Sequence, residues 1–149
     1  MHAQNDIYNM GRIVAIDYGQ KRVGLAVTDE LRIIATGLQT VHSKDIFTFL
    51  DQYTKQENVD LFVVGEPRQM NYTASDAQRF TEPFVKQLKK RFPLIPVERV
   101  DERFTSMMAQ QTIIEAGLKK KDRQNKGLVD KVSATIMLQS YMLSTRTKL

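Results

Sequence analysis

The chain carries two kinds of apolar pattern, and the change from one to the other divides it. Arg12 to Asp17 (RIVAID) has apolar residues on both alternating faces, the mark of a strand covered on both sides. Tyr18 to Lys21 is a polar turn in which Gly19 is free to take positive φ. Val23 to Val27 (VGLAV) returns as a second strand, so the pair predicts a hairpin. Thr28 to Leu31 breaks the pattern, and Ile33 to Val41 predicts a third strand. The period then lengthens. Ile46, Phe47, Phe49, Leu50 and Tyr53 follow the spacing of an amphipathic helix, with Ser43 as N-cap and Asp45 in the first turn. Leu61 to Gly65 (LFVVG) predicts another strand covered on both faces. Residues 74–91 predict a helix with Phe80, Phe84, Val85 and Leu88 toward the core, kinked or restarted at Pro83. Pro96 to Val100 predicts a fifth strand. Thr105 or Ser106 caps a further helix that Gly117 stops. Leu128 to Ser144 predicts a last helix, largely buried through Val132, Ile136, Met137, Leu138, Tyr141 and Leu143.

Three successive strands with short turns read as an antiparallel meander. The later strands alternate with helices, so they should run parallel with right-handed crossovers. The order predicts one α/β domain over residues 11–146, with a mixed sheet and helices on both faces, after a short frayed lead-in at residues 1–10.

Composition narrows the function. The chain has 149 residues and no cysteine, which excludes disulfides, thiolate zinc sites and cysteine nucleophiles. No apolar run approaches the roughly 18–20 residues that span a bilayer. Met1 to Gly11 lacks the order of a signal peptide, so a cytoplasmic protein without membrane contact is expected. The net charge is +5, and Lys119, Lys120, Lys121, Arg123 and Lys126 cluster against Asp122. Such a segment attracts phosphate backbones, although a solvated loop has the same composition.

Acids fall at matching places. Asp17 closes the first strand, Glu66 follows the fourth, Asp101 and Glu102 close the fifth, and Asp130 sits in the first turn of the last helix. In open α/β sheets the site lies beyond the carboxyl ends of the strands. Each acid alone has a plainer use as a turn former, an ion-pair partner of Arg103 or a complement to the helix dipole. Together they form a set of hard oxygen donors, which suits Mg²⁺ or Mn²⁺. Two such ions roughly 4 Å apart can clamp the attacking and leaving oxygens of a phosphoryl displacement. Strand alternation lets only one of Asp101 and Glu102 face such a cleft.

AIDYGQKRVGLAVTD (Ala15 to Asp29), VVGEP (Val63 to Pro67), VDERFTS (Val100 to Ser106) and KGLVDKVSA (Lys126 to Ala134) resemble the YqgF family. Its members are described as Holliday-junction-resolvase-like and as pre-16S rRNA nucleases. The resemblance covers Gly11 to Leu143. It implies an RNase H-like fold related to RuvC resolvases, with sheet order 3-2-1-4-5 and the second strand antiparallel. It implies a metal-dependent endonuclease acting in 5′-end maturation of small-subunit ribosomal RNA. Asp17, Glu102 and Asp130 match the family's acids, which implies their roles as catalytic residues and metal ligands. Asp101 is the neighbouring alternative. Glu66 falls where the family pattern carries an apolar residue, so it is a further candidate ligand that the resemblance does not support.

Lys21, Arg22 and Arg103 are candidate nucleic-acid contacts beside the acids, together with the five basic residues of the 119–126 cluster. The partner is RNA or branched DNA. A junction resolvase should be a two-fold dimer, and no exposed apolar helix face is evident, so a monomer or weak homodimer is expected. A non-catalytic binding factor is the competing class, but binding alone does not need the acids.

Overall fold

The computed structural model describes residues 11–66, 78–101 and 125–147. β1 (Arg12–Tyr18), β2 (Arg22–Thr28) and β3 (Ala35–His42) form the meander. Then come α1 (Ile46–Gln56), β4 (Val59–Glu66), α2 (Gln78–Arg91), β5 (Val97–Asp101) and α3 (Lys126–Thr147). The strands lie in the order β3-β2-β1-β4-β5. β2 is antiparallel to both its neighbours, and β4 is parallel to β1 and β5. This is the RNase H-like sheet that the sequence implied.

β1 is central, and residues Ile13 to Ile16 are all buried because their alternating side chains enter two separate cores. Val14, Ile16, Leu25, Phe62 and Val64 pack with Ile46 and Leu50 of α1 and with Phe84, Val85 and Leu88 of α2. Ile13, Ala15, Ala26 and Val63 pack with Ala134, Met137, Leu138 and Met142 of α3. Each fully buried side chain of this size contributes roughly 1.5–3 kcal/mol. The sheet therefore has an α1/α2 face and an α3 face.

Several local expectations need correction. β3 begins at Ala35, not Ile33. The Asp29 carboxylate accepts the backbone N–H groups of Ile33 (2.7 Å) and Ile34 (2.8 Å), and Arg32 takes φ 57°. The loop uses those donors, so Ile33 and Ile34 stand exposed. Ser43 does not cap α1. It opens a 3₁₀ turn (Ser43–Asp45), its hydroxyl donates to the Gln20 carbonyl (2.7 Å), and the His42 imidazole accepts the Lys44 N–H. Gly19 has no left-handed φ; a Cβ there would lie 2.6 Å from the Arg22 carbonyl, so close approach is what requires glycine. In α2, Thr81, Phe84, Val85 and Leu88 form the inward row, which leaves Phe80 outside it and exposed. Leu143 of α3 is exposed for the same reason, next to the Leu138–Met142 row. α2 runs through Pro83. α3 starts two residues earlier than expected because the Asn125 side chain accepts the Leu128 N–H (3.1 Å). Asp130 therefore lies one turn inside the helix. The lead-in and the helix expected after Thr105 lie outside the described residues. Among the described residues, no helix is long and apolar enough to cross a membrane.

Candidate active site

Asp17, next to last in β1, lies on the α3 face, the side occupied by Ile13 and Ala15. Its neighbour Tyr18 points the other way and stacks on Phe84 of α2, with ring centroids 4.2 Å apart. Burial there pushes the Tyr18 hydroxyl pKa above its ordinary value. The end of β1 is thus clamped from one face while Asp17 is presented on the other.

α3 brings Asp130 to the same place. Asp17 is paired across the hairpin with Gly24 of β2. A side chain on Gly24 would overlap the backbone carbonyl of Asp130, so its absence is what lets the helix lie directly on β2. The Thr40 hydroxyl of β3 donates to the Gly127 carbonyl (2.6 Å) and fixes the helix start laterally. Gly24 and Thr40 together set where the first turns of α3 cross the sheet.

Between these elements lies a cleft of about 330 Å³, lined by Asp17, Gly19, Gln20, Lys21, Arg22, Lys126 and Asp130. The turn forming one wall is braced twice. The Gly19 N–H donates to the Arg22 carbonyl (2.9 Å), and the Ser43 N–H donates to the Lys21 carbonyl (3.0 Å). Arg22 Nε donates to Asp130 Oδ2 at 2.8 Å, with 40% and 23% of the two side chains exposed. Two carboxylates in one cleft repel unless positive charge lies near, and Arg22 supplies part of it. Lys21 and Lys126 are exposed at the rim.

The other expected site residues divide into two groups. Glu66 and Asp101 are register partners at the ends of β4 and β5. Val63 faces α3 and Val64 the opposite core, so alternation puts Glu66 on the α1/α2 face. Val100 packs on the α3 side and Val97 on the other, and Arg99 donates to Glu82 of α2 (2.9 Å), so Asp101 shares the face of Glu66. Neither is brought to the face of Asp17 and Asp130. Glu102, Arg103, Lys119, Lys120, Lys121 and Arg123 lie outside the described residues. Among the described residues, no three potential metal ligands gather at one point. Asp17 and Asp130 offer two hard oxygen donors without histidine or cysteine, a donor set that fits Mg²⁺ or Mn²⁺.

Residues 11–144 match the family described as "RuvX: Holliday junction resolvase". The chain belongs to the RuvX family. The "Putative pre-16S rRNA nuclease" of Bacteroides fragilis is 58% identical over 137 residues, which is 92% of this chain and 99% of that protein. Among solved structures, the Fowlpox virus resolvase in complex with Holliday junction DNA aligns with a TM-score of 0.56 at 16% identity, over 90% of this chain and 98% of that one. Thermus thermophilus RuvC with a Holliday junction substrate aligns with a TM-score of 0.52 at 15% identity, over 89% and 96%. At such identities the two structures support the fold alone.

In this RuvX-family cleft, the apolar and acidic patterns alone do not reveal Gly19 and Gln20 as parts of the wall, or Gly24 as the seat of α3 beside it. The only signal for Gly24 is a glycine inside a strand pattern, which marks close approach of another backbone.

Proposed function

We propose that this chain is a divalent-metal-dependent endonuclease that hydrolyses phosphodiester bonds at the 5′ end of pre-16S rRNA. One observation carries the reading: Asp17 of β1 and Asp130 of α3 line a single open cleft whose rim is lysine and arginine. A purely structural pair of acids has no need of an open, basic-rimmed cleft.

Asp17 and Asp130 would hold the cation. We assign Glu102 as the third acid because it matches the acid of the family's D-E-R motif. A bound Mg²⁺ or Mn²⁺ supplies an activated water and charge neutralisation at phosphorus. Lys21 and Lys126 attract the phosphate backbone to the rim and orient it across the cleft. The RNA substrate is supported by the name of the Bacteroides fragilis relative, which aligns over nearly its whole length. This reading implies work on ribosomal RNA in the cytoplasm.

The test is cleavage of labelled precursor 16S rRNA, unrelated single-stranded RNA and four-way DNA junctions, with Mg²⁺, with Mn²⁺ and with chelator. Cutting of the precursor should require metal and should vanish in Asp17→Asn while RNA binding persists. Preferential cutting of the junctions would replace RNA by branched DNA as substrate. Cleavage that survives both chelator and Asp17→Asn would overturn the assignment.

A further inference from the structure

We infer that Arg22 is a displaceable counter-ion: it competes with the cation for Asp130 and, once displaced, turns to the substrate phosphate. The inference rests on the metal-dependent reading above and names a positioning residue within it. Three observations carry it. Arg22 Nε and Asp130 Oδ2 are 2.8 Å apart, so the guanidinium engages one of the acids assigned to the metal. The backbone of Arg22 is fixed, as β2 begins there and its carbonyl accepts the Gly19 N–H, so the exchange needs only side-chain rotation. The side chain is 40% exposed and lines the same cleft, so it has room to turn toward a ligand.

The electrostatics set the direction of exchange. A guanidinium near two carboxylates compensates their repulsion. A divalent cation taken up by the same carboxylates makes that positive charge redundant and repels it. The freed guanidinium is planar and offers paired N–H donors, a geometry that matches two phosphate oxygens. A lysine would give only a point charge at this position. Arg22 and the cation therefore compete for Asp130, and Arg22 and the cation cooperate on RNA.

The test measures Mn²⁺ binding to the RNA-free protein, by the electron paramagnetic resonance signal of unbound Mn²⁺, in wild type, Arg22→Ala, Arg22→Lys and Asp17→Asn. Each variant is first matched to wild type by circular dichroism and thermal melting. Arg22→Ala should bind Mn²⁺ about fivefold more tightly, the scale of one half-exposed ion pair. Arg22→Lys should lie between the two and keeps the assay interpretable if the alanine variant folds poorly. In a second measurement, Mn²⁺ should tighten RNA binding more in wild type than in Arg22→Ala, read with a non-cleavable RNA. Mn²⁺ affinity unchanged or weakened in both variants would overturn the inference, since Arg22 would then merely brace Asp130. Wild type whose Mn²⁺ binding does not differ from that of Asp17→Asn would instead take down the metal site itself, and the inference with it.

Discussion

Gly24 and Asp130 meet backbone against backbone: a methyl group on the glycine would lie inside the carbonyl of the aspartate. Because Gly24 also pairs with Asp17 across the hairpin, this one contact links the two acids of the cleft. Gly24→Ala should push α3 off the sheet at its first turns. Overpacking of this kind costs about 1–3 kcal/mol. A lowered thermal midpoint together with weakened Mn²⁺ binding is expected; wild-type values for both would show that the helix is placed by other contacts.

Asp130→Asn keeps the shape of the side chain and removes its charge. It should lower cleavage by on the order of 10²–10³-fold, the scale seen when one electrostatic stabiliser is lost. The same change frees Arg22 from its partner, so RNA binding should hold or tighten. Single-turnover cleavage and a separate binding titration distinguish the two effects.

Lys126 opens α3 at the cleft rim and is exposed. If it contacts a phosphate, Lys126→Ala should weaken RNA binding across all sequences and reduce the slope of log affinity against log salt by about 0.7 for a single strand. An unchanged slope would remove Lys126 from the interface.

Asp29 organises the loop before β3. Its carboxyl is held below the usual range chiefly by the Ile34 N–H, with Ile33 also donating. A depressed pKa means that this stabilisation is present above the ordinary value of 3.8 and is lost as pH falls below it. Asp29→Ala should cost about 1 kcal/mol at neutral pH and should flatten the acid limb of the stability curve. Chemical denaturation from pH 3 to pH 7 checks both.

Tyr141 of α3 reports the opposite end of the pH scale. Burial and, next, a hydrogen bond with Glu98 of β5 push its hydroxyl pKa from 10.0 up to about 12. A raised pKa in the folded state means that stabilisation is full below pH 10 and disappears as pH rises toward 12. Thermal melts over that window should fall more steeply for wild type than for Tyr141→Phe.

Among the described residues, the order and type of the elements were legible in the apolar pattern, because each position of β1 needs a partner core. Resemblance carried the sheet order further than periodicity could. What the chain alone left open was decided by contacts distant in sequence. Gln20 accepts a bond from Ser43, so the expected helix cap serves the cleft wall instead. Asp29 claims the N–H groups of Ile33 and Ile34, so an apolar run that reads as strand stays in a loop. Glu66 and Asp101 end neighbouring strands just as Asp17 does, yet one-residue alternation puts them across the sheet. Arg22 and Asp130 are 108 residues apart, and nothing local couples them. The amino-acid sequence by itself determined the strands and helices of the core, which follow from the period of apolar side chains, and the inventory of acids. Only the tertiary structure decided which acids share a cleft, because that depends on where α3 can approach the sheet, and the bare backbone at Gly24 is where it does.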